Sequence, residues 1–109
     1  MNIQSGLFPG QILQRDARQM ARTRIAGRCE TTRLATIEVY VTRDGIVLPG
    51  VSGSGEAKDG FWQASVDNLP VGGPYEIRFH LLDEPDLHVA DVRVGDVWFL
   101  GGQIGRAHV

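Results

Sequence analysis

The chain reads as an all-β protein of the sandwich or barrel kind, and three observations point there. Fourteen glycines and five prolines punctuate short apolar runs at fairly even spacing. Several of those runs alternate apolar and polar residues with a period of two. Helical periodicity is weak throughout, so little competes with strands for the apolar pattern. The 109 residues suffice for one domain, which by size scaling buries roughly 60–70% of its unfolded surface.

The elements follow in order. Ile37, Val39 and Val41 alternate with Thr36, Glu38, Tyr40 and Thr42, which puts the aliphatic side chains on one face of a strand. Asp44-Gly45 turns the chain towards Ile46 to Leu48 as a hairpin. The glycine-dense run Pro49 to Gly55 is expected to be a loop. It lacks the Gly-x-Gly-x-x-Gly order, and the following lysine, of a phosphate cradle. Asp59-Gly60 is a second turn, followed by a strand from Phe61 to Val66 with Trp62, Ala64 and Val66 on one side and Trp62 anchoring the core. Leu69 to Pro74 forms a turn in which Gly72-Gly73-Pro74 sets two unrestricted backbone positions before a locked one. It feeds the cleanest strand, where Tyr75, Ile77, Phe79 and Leu81 alternate with Glu76, Arg78 and His80. Asp83-Glu84-Pro85-Asp86 breaks that strand, and Leu87 to Val94 returns as its partner. About five to eight strands are expected.

Composition narrows the function. With 42% hydrophobic and 22% charged residues the chain is ordinary for a globular domain and unlike a disordered one. A net charge of −2 has the wrong sign for a surface that tracks phosphates, so no nucleic-acid partner is expected. The arginine run Arg15, Arg18, Arg22, Arg24, Arg28 and Arg33 mixes periods and reads as a solvated face. Cys29 is alone, so it forms no disulfide within the chain and is expected to pack as a small hydrophobe. Met1 to Gly10 lacks the basic and apolar regions of a signal peptide, and no run reaches membrane-spanning length. No membrane association is expected, and the compartment stays open between a cytoplasmic protein and a gene whose start lies upstream. His80, Asp83, Glu84, Asp86 and His88 crowd within nine positions but match no recognised ligand set. They read as a solvated hairpin end with His80 and His88 facing each other, and neither metal nor cofactor is expected.

One stretch stands apart. Val94-Gly95-Asp96-Val97-Trp98-Phe99-Leu100-Gly101-Gly102-Gln103 has the form of a buried strand running into a glycine-rich elbow. Together with Leu7-Phe8, Ile12-Leu13-Gln14-Arg15-Asp16, Asp59-Gly60-Phe61-Trp62, Leu69-Pro70 and Gly72-Gly73-Pro74-Tyr75, it resembles, block by block and in the same order, the sialate O-acetylesterase-like branch of the SGNH hydrolases. Those carbohydrate esterases carry Gly-Asp-Val-Trp, a short apolar link and then Gly-Gln-Ser-Asn-Met. Between the first and second blocks the match is loose, since Ile25-Ala26-Gly27 stands where the family has Trp-Gly.

The resemblance implies an immunoglobulin-like β-sandwich at residues 1–95, then residues 96–103 as the orphaned first strand and nucleophile elbow of an α/β catalytic domain. Gly101, Gly102 and Gln103 would be the remnant of that elbow, while Gly95, Asp96 and Trp98 would serve structurally at the junction. Ile104, Gly105 and Arg106 stand where the family has Ser, Asn and Met, so no catalytic residue carries over and the nucleophile is missing. Residues 104–109, Ile-Gly-Arg-Ala-His-Val, resemble what one reading frame of a sequencing adapter would encode and are expected to be a non-native tail. The expected partner is a C-terminal catalytic domain of the same polypeptide, acting on O-acetylated sugars through Ser, His and Asp. This chain alone is expected to be inactive. The alternative is a stand-alone carbohydrate-binding or structural β-sandwich module. Only Phe61, Trp62, Tyr40 and Tyr75 could offer it an aromatic face, and most of these are expected to be committed to the core.

Overall fold

The computed structural model describes residues 1–100 and 103–108, which hold ten strands and no helix: β1 (Asn2–Ser5), β2 (Ile12–Gln14), β3 (Met20–Arg28), β4 (Ala35–Arg43), β5 (Ile46–Val47), β6 (Ser52–Lys58), β7 (Phe61–Pro70), β8 (Gly72–His80), β9 (Leu87–Leu100) and β10 (Gln103–His108). The all-β class is therefore as expected, with more strands than the turn signals announced.

Hydrogen-bonded neighbours run in the order β1-β3-β7-β6-β4-β8-β9-β10, with β5 on β4 and β2 on β9. The path curls into a half-barrel whose inner face closes on one core. All the ladders are antiparallel apart from β2 on β9, which is parallel. The segment between Ser5 and Ile12 carries the chain from the β3 side of the sheet to β9, with Leu7 buried beneath.

The inward residues are those the period-two reading selects. Ile37 and Val41 of β4, Trp62, Ala64 and Val66 of β7, and Tyr75, Ile77 and Phe79 of β8 are all buried. The rings of Trp62 and Phe79 lie 5.3 Å apart at 50°, a tilted pair at the centre of the core. Both Asp-Gly turns form as expected. Asp44 and Gly45 have φ of 53° and 78°, and Asp59 and Gly60 have 55° and 82°, the pair of positive values a two-residue hairpin turn demands.

Three expectations need correction. Ser52 to Gly55 is not a loop but the first half of β6. A side chain at Gly55 would stand 2.4 Å from the Gln63 carbonyl oxygen and 2.6 Å from Ala64 Cβ. Glycine here lets two strands approach closely, which a reading of glycine as a loop residue inverts. The turn from Leu69 to Pro74 shrinks to Val71, because β7 runs to Pro70 and β8 begins at Gly72. Finally, the strand expected to end at Val94 and the one expected to begin at Asp96 are a single element, β9.

The arginine run also acquires a structure. Arg22, Arg24 and Arg28 occupy outward positions of β3, while Ala21, Ile25 and Gly27 point inwards and are buried. The face is solvated as expected, yet the strand beneath was hard to read because two of its three inward residues are small.

Candidate functional site

The parallel pairing of β2 with β9 matches Ile12 with Arg93, Leu13 with Val94 and Gln14 with Gly95. The next step continues it, as the Arg15 amide donates to the Gly95 carbonyl at 3.0 Å. Here the first and last motif blocks meet. Gln14 Nε2 donates to Asp96 Oδ1 at 3.2 Å, and Arg15 Nε reaches the same oxygen at 3.0 Å. Arg15 and Asp96 are about one-third exposed, so water screens the pair and it serves mainly to register two strands.

Asp16, the third residue of that block, works locally. Its Oδ1 accepts from the amides of Arg18 at 2.8 Å and Met20 at 3.1 Å, closing the turn into β3. The Met20 amide bond, with smaller help from Arg18, holds the Asp16 carboxyl below its usual value.

The middle blocks are structural as well. The Asp59-Gly60 tip docks on the segment between β3 and β4: the Asp59 and Gly60 amides donate to Thr32 and Thr31 carbonyls, and the Cys29 amide donates to the Gly60 carbonyl, each at 3.0 Å. Trp62 Nε1 donates to the Asn2 carbonyl at 2.8 Å, tying β7 to the edge strand β1. Gly72 and Gly73 adopt φ of 135° and 123°, the Gly73–Pro74 peptide is cis, and a side chain at Gly73 would sit 2.9 Å from the Val92 carbonyl oxygen. Tyr75 follows, 1% exposed, its hydroxyl donating to the Pro70 carbonyl at 2.7 Å. Burial pushes that phenol above its ordinary pKa, with Arg43 opposing.

His80 and His88 do not face each other. Across the β8–β9 ladder His88 stands opposite Arg78, and His80 lies opposite Glu38 of β4. The imidazoles take separate carboxylates, His80 Nδ1 with Asp86 Oδ1 at 2.6 Å and His88 Nδ1 with Glu76 Oε1 at 2.8 Å. His80, and next to it Arg78 at 2.9 Å, hold Asp86 below the usual carboxylate range. Arg78 also lies 4.4 Å over the Tyr40 ring, and the Tyr40 hydroxyl donates to Glu38. Glu38, Tyr40, Glu76, Arg78, His80, Asp86 and His88 thus each have a partner on this outer face.

A histidine–carboxylate pair becomes catalytic when the other ring nitrogen meets a nucleophile. Among the described residues no hydroxyl or thiol hydrogen-bonds to either imidazole. Cys29 is half-buried, and burial, then Glu84, push its thiol up, the opposite of activation. Among the described residues no group of three His, Cys, Asp or Glu is placed to hold a metal.

The sequence reading placed Glu84 in a solvated hairpin end, and the structure corrects this, because the side chain leaves that end to bind elsewhere. Its side chain is 5% exposed and accepts from the Glu30 and Thr31 amides at 3.2 Å, from the Thr31 hydroxyl and from the Met1 amino group at 3.2 Å. Burial raises its pKa, but these hydrogen bonds, led by Thr31, outweigh it and hold the carboxyl below the ordinary value. Its partners are more than fifty positions away, so no local pattern marks it.

Gln103 and Ile104 open β10, which pairs antiparallel with β9 and sets Ile104 opposite Phe99. Trp98 contributes backbone to β9, and its side chain, like Gly101 and Gly102, lies outside the described residues. With this geometry established, comparison with known proteins adds no name: no family model matches the chain, and no curated protein does.

Proposed function

We propose that the chain is the non-catalytic N-terminal module of a sialate O-acetylesterase-like carbohydrate esterase of the SGNH class. The observation that carries this reading is the convergence of Gln14 and Arg15 on Asp96. Blocks from the two ends of the chain, which resemble one family's pattern in order, are in contact through their own polar side chains.

Within this proposal residues 1–95 form an immunoglobulin-like sandwich. Setting aside the short β2 and β5, and β10 beyond residue 95, the strands in chain order are β1, β3, β4, β6, β7, β8 and β9, and their spatial order is first-second-fifth-fourth followed by third-sixth-seventh. That order resembles the four-strand and three-strand division of an immunoglobulin-type sandwich, which supports this reading. The ladder from Ala35–Ala57 to Glu38–Ser54 is the seam that joins the two halves into one path. Tyr75 supports the same reading, because a tyrosine at the start of the sixth strand, bonding back to the backbone before the corner, is a hallmark of the fold.

In the parent enzyme a serine after Gln103 would attack an acetyl ester of a sugar, with histidine taking its proton and water later releasing the acyl group. Ile104 offers no such oxygen. The chain is expected to hydrolyse a chromogenic acetyl ester no faster than buffer and to resist labelling by a fluorophosphonate, and labelling would overturn the proposal. The genomic DNA beyond codon 103 decides the parentage. Codons for Ser-Asn-Met and a later Asp-x-x-His are the expected result, and independently amplified DNA that stops after Val109 would defeat it.

A further inference from the structure

The outer face of β3, β7 and β6 differs from that of β4 and β8. Its ladders place Arg24, Ser65 and Ser54 in one row, Ala26, Gln63 and Glu56 in the next, and Arg28, Phe61 and Lys58 in the third. The short side chains of Ser54, Ser65 and Ala26 in the first two rows leave an open cavity of about 610 Å³ against the sheet, lined by Arg24, Ser54, Ser65, Gln63 and Glu56. A second cavity of about 390 Å³ shares Ala26, Glu56 and Gln63 with it and continues to Lys58 and Phe61. The two make one trough, and four residues of strand from the Arg24 row to the Arg28 row span roughly 13 Å.

Phe61 sits at one end of this trough, 53% exposed, with the Arg28 guanidinium 4.9 Å over its ring. A large apolar ring on a solvated strand face is not explained by core packing, which its neighbour Trp62 performs from the other side. Among the described residues, Arg24, Ser54, Glu56, Lys58, Gln63 and Ser65 make no side-chain hydrogen bond or ion pair within the chain. On the β4–β8 face, by contrast, Glu38, Glu76, Arg78, His80, Asp86 and His88 are all paired.

We infer that this trough binds a short oligosaccharide carrying a carboxylate. A ring face of the sugar stacks on Phe61, as pyranose C–H groups do on aromatic surfaces. The hydroxyls find acceptors and donors in Gln63, Glu56 and the two serines, the small number of oriented polar groups a ligand site requires. The charge selects an acidic sugar, since Arg24 and Lys58 line the trough with Glu56 as its one carboxylate, and Arg28 stands over Phe61 at its end, where Glu30 and Asp59 line a separate hollow. This site is independent of the esterase reading and holds for a module of any parentage.

The test is titration of the full 109-residue chain, followed by amide chemical shifts, with trigalacturonate, the neutral galactotriose and acetate. Trigalacturonate is expected to move amides of β3, β6 and β7 with a Kd in the range of about 0.1–1 mM, an affinity suited to an open, shallow site. Phe61→Ala and Gln63→Ala, both at exposed positions, are each expected to weaken binding about tenfold while the remaining amide spectrum stays that of the folded protein. Arg24→Ala is expected to weaken trigalacturonate and to reduce its salt dependence. Silence up to about 10 mM, or shifts centred on the β4–β8 face, would overturn the site. Equal binding of galactotriose would overturn the acidic preference, and an identical response to acetate would overturn the sugar.

Discussion

Arg15 and Asp96 meet at 3.0 Å, at the point where the short parallel strand β2 ends beside the continuing β9. Both are partly exposed, so the pair is worth under about 1 kcal/mol to global stability. Its local effect is larger, because β2 has only three ladder residues and neighbours little else. Asp96→Asn is therefore expected to leave the urea midpoint almost unchanged. Hydrogen exchange should quicken at the Arg15 amide, while the amides of β8 keep their protection.

Glu84 is a different case, since nearly all of its carboxylate is withdrawn from water. Glu84→Gln keeps the shape and removes the charge, and a loss of about 2 kcal/mol is expected in urea unfolding at neutral pH. The folded-state pKa lies below the ordinary value of 4.5, so the stabilisation is fully present above that value and is lost as the pH falls through the lowered one. The gap between wild type and variant should stay constant from neutrality to about pH 5 and close below it. A gap independent of pH would show that the charge is not what matters.

Gly55→Ala inserts a methyl group 2.4 Å from a carbonyl oxygen of the adjoining strand. Backbone cannot rotate away as a side chain does, so a cost of about 2–3 kcal/mol is expected from parting β6 and β7. Ser54→Ala, on the outward side of the same strand, is expected to shift the melting midpoint hardly at all. Equal effects from the two would mean that β6 does not pack as described.

Tyr75→Phe removes one buried hydroxyl and leaves the Pro70 carbonyl without its donor at a partly buried corner. About 1–2 kcal/mol should be lost, read from chemical unfolding with an unchanged m-value. A neutral result would indicate that water takes the place of the phenol.

Much of the β architecture was legible, for a physical reason. The central strands bury one face and wet the other, so Ile37 to Val41, Trp62 to Val66 and Tyr75 to Phe79 carry their orientation in a period of two. The Asp-Gly turns were equally legible, because few other residues accept two successive positive φ values. β3 and β6 escaped notice where alanine and glycine hold inward or crowded positions and leave little apolar signal. The pairing of each histidine escaped for another reason: His80 takes Asp86 from the segment between β8 and β9, and His88 takes Glu76 diagonally from the neighbouring strand, and no periodicity marks either.

By itself the sequence determined which residues face inwards along the central strands, where the chain reverses, and that isoleucine stands at position 104 after Gln103. These are matters of local sterics and of apolar periodicity. Only the tertiary structure decided that Asp96 receives Gln14 and Arg15, that Glu84 gathers the Met1 amine and Thr31, and that Phe61 lies beside unpaired polar groups in a trough. Such contacts depend on strand order and register, which are set by the closure of the whole sheet on one core and are not written in any short stretch of residues.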